Sequence, residues 1–74
     1  MKILLRNKAN GMYLKAPGVW TGRLEWAFDF KFIDRALNYA ENWGLTDVEL
    51  AFVWDDPLTV QMMPLERAAL QCAA

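Results

Sequence analysis

Two adjacent carboxylates, Asp55 and Asp56, and a single thiol, Cys72, are the side chains in this sequence whose type and spacing come nearest to chemistry. Neighbouring carboxylates can share a divalent cation or work as an acid and base. A hard cation asks for several convergent oxygens, however, and the acids left to recruit, Asp47, Glu49 and Glu66, are distant. Pro57 follows directly, and Asp-Asp-Pro reads more simply as a turn. Cys72 has no second cysteine to pair with and no base to activate it. The chain contains neither His nor Ser, which removes serine-histidine and cysteine-histidine nucleophile pairs together with every imidazole metal site. Thr21, Thr46 and Thr59 read as caps and turn residues. The stretch Gly18-Val19-Trp20-Thr21-Gly22 lacks the Gly-Lys-Ser/Thr end with which a phosphate loop reaches its nucleotide. The residues therefore assign no catalytic side chain, no cofactor site and no metal site, and the expectation is a protein that is not an enzyme.

Recognition chemistry is a second reading. Net charge is −1, but residues 1–23 hold Lys2, Arg6, Lys8, Lys15 and Arg23 with no acid, whereas all nine acids fall between Glu25 and Glu66. Cations near Tyr13 and Trp20 could meet phosphates and stack bases, so a nucleic-acid-binding module built on these five basic residues is the alternative function. The same asymmetry arises when complementary strands pair within one sheet or across a dimer, and a pI near 5.2 is far from that of a strongly basic module.

The elements that must position these residues follow from periodicity. Residues 2–6 are rich in branched apolar side chains, and residues 12–15 alternate as a half-buried strand does. Asn10-Gly11 between them tolerates the positive φ of a hairpin turn, and Pro17-Gly18 turns the chain again and ends the hairpin. Residues 28–30 resume an extended alternation. From Ile33 the period changes to three and four: Ile33, Ala36, Leu37, Ala40 and Trp43 form one helical stripe, with Gly44 as the left-handed stop and Leu45 as its apolar contact. Residues 47–54 read as the best strand, with Val48, Leu50, Phe52 and Trp54 on one face and Glu49, Ala51 and Val53 on the other. Residues 58–62 suggest a further strand closed by Pro64. The tail 65–74 is Ala-rich, with Leu65, Ala69 and Cys72 on one stripe, and either covers the second sheet face or frays.

The expected fold is α+β: a small antiparallel sheet ordered β-β-(β)-α-β-(β), with one main helix, residues 33–43, on one face. The domain spans residues 1–64, and residues 65–74 form a helical or frayed tail. Gly11-x-Tyr13, Pro17-Gly18-x-Trp20-Thr21, Ala27-x-Asp29-Phe30, Ala36-Leu37 and Gly44-Leu45 together resemble short bacterial proteins of uncharacterised function. That resemblance covers residues 11–54, implies the fold and carries no activity with it.

Apolar residues make up 55% of the chain, including four Trp, four Phe and four Met, which is generous for a domain with so small an interior. A core of this size supplies only about 3–5 kcal/mol, so self-association is a natural way to bury the surplus. The leading expectation is thus a protein-protein interaction or accessory protein, a homodimer or the partner of another protein, binding through Tyr13, Trp20, Ala51, Val53 and Leu65. Of the four tryptophans, Trp20 is expected at the interface, while Trp26, Trp43 and Trp54 match core positions. The apolar run 3–5 is shorter than the roughly 7–15 residues of a secretory signal core, and no run approaches the roughly 20 needed to span a bilayer. With an unpaired Cys72, the expected location is the cytoplasm, away from membranes.

Overall fold

The computed structural model describes residues 1–55 and 58–72, and the side chains of the terminal helix as far as Ala68. Five strands form one antiparallel sheet: β1 (Lys2–Asn7), β2 (Tyr13–Ala16), β3 (Val19–Thr21), β4 (Val48–Asp55) and β5 (Leu58–Pro64), in the spatial order β3-β2-β1-β4-β5. Helix α1 (Ile33–Asn42) links β3 to β4, and α2 (Leu65–Cys72) follows β5 without a break. The fold is α+β. No helix among the described residues is long and apolar enough to cross a membrane.

Strand alternation divides the apolar residues between two faces. Ile3 and Leu5 on β1, Leu14 on β2 and Val48, Leu50 and Phe52 on β4 form the main core with Phe30 and with Ala36 and Ala40 of α1. The intervening Leu4, Ala51 and Val53 form a smaller core on the opposite face. Central strands buried on both sides read as near-continuous apolar runs, which is what Ile3-Leu4-Leu5 and Leu50-Ala51-Phe52-Val53 are.

Several boundaries differ from the sequence expectation. Pro17-Gly18 does not end the hairpin but starts a second one: Ala16 pairs with Val19 across it, Gly18 takes a φ of 74°, and the third strand is Val19–Thr21. Residues 28–30 are instead an extended bridge. The hairpin strands β1 and β2 are in register at Arg6 and Tyr13, and where they diverge the Phe28 N–H donates to the Leu14 carbonyl and the Phe30 N–H to the Ile3 carbonyl. This bridge carries the chain from the minor face, where Leu24 and Ala27 pack, to the main face, where Phe30 is buried. The β1–β2 loop spans residues 8–12 and is longer than a two-residue turn; the Gly11 N–H donates to the Asn7 carbonyl and the Asn7 N–H to the Met12 carbonyl.

Helix α1 ends as its sequence dictates. The Leu45 N–H donates to the Ala40 carbonyl and the Gly44 N–H to the Glu41 carbonyl, with Gly44 at a φ of 63°. This is the paired bonding of a Schellman stop, and Leu45 folds back onto the main core. The tail is helical and does not cover the second face. Ala68 is fully buried in the main core and α2 packs against α1, so both helices lie on one side of the sheet. Ala68 rather than Ala69 is the buried position seen; the side chains of Ala69 and Cys72 lie outside the described residues.

Candidate interaction surface

Of the five side chains expected to meet a partner, Ala51 and Val53 are buried and Tyr13, Trp20 and Leu65 are half-buried. Ala51 and Val53 are 0% and 1% exposed. The short 3-10 turn Leu24–Trp26 and its flank cover them: Leu24 and Ala27, with Tyr13 and Val60, pack onto Leu4, Ala51 and Val53. The second face was expected to await the tail or a neighbour, but the chain turns back after β3 and covers the centre of that face itself. Tyr13 is therefore half-buried in the minor core, and Trp20 and Leu65 pack against the main one.

The tryptophans exchange their expected places. Trp20 stands opposite Leu14 in the β2–β3 register, which draws its ring over the main core. Trp26 and Trp43 are 56% and 57% exposed, and Trp54 is exposed too. Each of the three sits where its element ends. Trp26 closes the 3-10 turn, and Trp43 is the residue after the last helical turn, stacked on Tyr39 with ring centroids 5.7 Å apart. Trp54 lies beyond the last β1 partner of β4, Val53 opposite Lys2. A periodic stripe gives the direction of a side chain, but a residue at the stripe's end has no neighbouring element to receive it.

The five basic residues do not form one free patch. The Arg6 guanidinium donates to the Glu49 carboxylate at 2.6 Å, a cross-strand pair on adjacent β1 and β4 positions. The basic and acidic halves of the sequence meet here within one sheet. Arg23 reaches Glu25 at 3.5 Å and lies 4.9 Å over the Trp26 ring, and Lys15 lies 5.5 Å from the same ring, so two cations rest on one indole. Lys2 and Lys8 enter no ion pair among those seen. Asp55 is exposed at the end of β4, and Asp56 and Pro57 lie outside the described residues.

Part of what remains open is apolar. Among the described residues, Met1, Val19, Trp26, Phe28, Phe32, Trp43, Trp54, Leu58 and Met62 are all exposed. Four of the nine fall in two stretches, Phe28 and Trp43 in one and Leu58 and Met62 in the other. Phe28, Phe30, Tyr39 and Trp43 touch ring to ring along one flank of α1, beside a groove of about 330 Å³ lined also by Leu14, Lys15, Ala16 and Pro17. The second is the outer strand β5. Leu58, Val60 and Met62 fall opposite Asp55, Val53 and Ala51 and so point to the minor face, with Leu58 64% and Met62 37% exposed. Leu24 and Ala27 cap the minor face over its centre and leave this margin uncovered. Sequence reasoning missed it, although a seven-residue strand with no charge was a visible signal. Comparison with protein-family models, with curated proteins and with solved structures finds no match to this chain.

Proposed function

We propose that this protein works by binding protein, a second copy of itself in the first instance, and not by catalysis. The observation that carries the reading is the pair of exposed apolar stretches, Phe28 with Trp43 along α1 and Leu58 with Met62 along β5, in so small a domain. Isolated exposed apolar residues are ordinary, but contiguous ones mark contact surfaces in soluble proteins. The commitments of Arg6 to Glu49 and of Arg23 and Lys15 to Trp26 support protein over nucleic acid as the partner, since each cation held by the chain is one less for a phosphate. Sedimentation velocity at micromolar concentration tests the proposal. The expected result is a species of twice the 8.5 kDa chain mass. A single 8.5 kDa species throughout the accessible concentration range would remove it.

A further inference from the structure

The sheet has two edges, and they are built differently. β3 is three residues long and runs directly into Gly22 and Arg23. Short edge strands next to a charge are how proteins discourage unwanted pairing. β5 has seven residues, Leu58–Pro64, and none is charged. It pairs with β4 along its whole length, from Asp55 opposite Leu58 to Glu49 opposite Pro64, and no strand among the described residues pairs with its other side. Its outward backbone groups are therefore an extended row of donors and acceptors bordered by exposed Leu58 and Met62.

We propose that β5 is the dimer interface: two copies pair β5 with β5 antiparallel about a two-fold axis through Val60, joining two five-stranded sheets into one of ten. This deepens the self-association reading above and rests on it. The axis position follows from side-chain alternation. Antiparallel pairing of a strand with itself keeps each side chain on its own face only if the paired residue numbers sum to an even value. Centring on Val60 sets Leu58 against the partner copy's position 62, and Val60 against position 60, which joins the apolar margins of the two minor faces. On the other face it sets Thr59 against position 61, a polar residue against a polar one. Centring on Gln61 instead sets Thr59 against Met63 and Leu58 against Pro64, whose ring brings no N–H to a ladder. A second copy fits this edge better than an unrelated strand does, because the strand's own pattern is self-complementary and carries no charge to repel its image. The two-fold also closes the assembly at two chains.

Two variants test the geometry, with the unmodified chain as reference. In Leu58→Lys/Met62→Lys the proposed register sets lysine directly against lysine at both pairs, so the dissociation constant is expected to rise by about tenfold or more while sheet circular dichroism is kept. In Val60→Cys/Cys72→Ala the two new thiols meet on the axis within the span a disulfide accepts, so mild oxidation is expected to yield a cross-linked dimer whether or not the lysine variant folds. A reference chain that dimerises while the lysine variant dimerises equally well, or while the cysteine variant stays uncross-linked, overturns the β5 interface and leaves self-association standing. A reference chain that is monomeric overturns both.

Discussion

Lys31 holds a φ of 69°, the left-handed region that a side chain with a Cβ enters at a cost of about 1 kcal/mol. The conformation is imposed by its neighbour: the Lys31 N–H donates to Asp29 Oδ1 at 2.9 Å, turning the chain sharply into α1. Lys31 is exposed, and nothing in the structure explains a lysine there. Replacing it with Asn, which tolerates this region better, should raise stability by about 0.5–1 kcal/mol without the extra unfolded-state freedom that Gly would add. The measurement is a urea titration with unchanged slope and a higher midpoint; a lower midpoint would show that lysine makes an interaction worth more than its strain. Site residues were the least legible part of the sequence for a related reason. Trp20 and Trp26 are the same residue type six positions apart, and what separates them is a cross-strand neighbour for one and the end of a turn for the other. Such facts belong to the register, which the sequence does not display.

Elements were more legible than residues because each carries its own periodicity and stop signals. The period of three and four through Ile33, Ala36, Leu37 and Ala40, with Gly44 after it, specifies α1 almost to the residue. The run from Val48 to Val53, apolar but for Glu49, specifies the central strand buried on both faces. What periodicity cannot supply is the pairing of short segments, and residues 28–30 show why. Three alternating residues fit a strand, but here they bridge β1 and β2 where those strands part. Asp29 fastens the bridge, since its Oδ1 accepts the Ile3 N–H at 3.0 Å as well as the Lys31 N–H. One carboxylate oxygen thus ties the first strand to the entry of the helix. Asp29→Ala removes both bonds and should cost about 2–4 kcal/mol, whereas Asp29→Asn keeps an acceptor oxygen and should recover part of it. Thermal unfolding of the two variants provides the comparison. Equal losses would mean that the amide cannot replace the carboxylate, and no loss in either would mean that water serves the two amides as well as Asp29 does.

At the scale of the whole molecule, the chain spends its apolar surplus in three ways. Part fills the main core beneath two helices, and part fills the minor core beneath Leu24 and Ala27. Of the remainder, contiguous parts lie along the α1 flank and the β5 margin, where the chain has no further segment to cover them among the described residues. A domain with few buried residues gains little from its interior, so burying that remainder against a second copy would contribute a large share of its stability. Folding and association are then one equilibrium, and the melting temperature must depend on concentration. A tenfold increase in protein favours the dimer by about 1.4 kcal/mol, or roughly 0.7 kcal/mol per chain, which for a domain of this length corresponds to a rise of about 3–6 °C. The Leu58→Lys/Met62→Lys variant, if it folds as a monomer, should melt at one temperature at every concentration. Calorimetry on the reference chain and this variant over a hundredfold range separates the cases. A concentration-independent transition in the reference chain would mean that its two small cores suffice and that self-association is overturned.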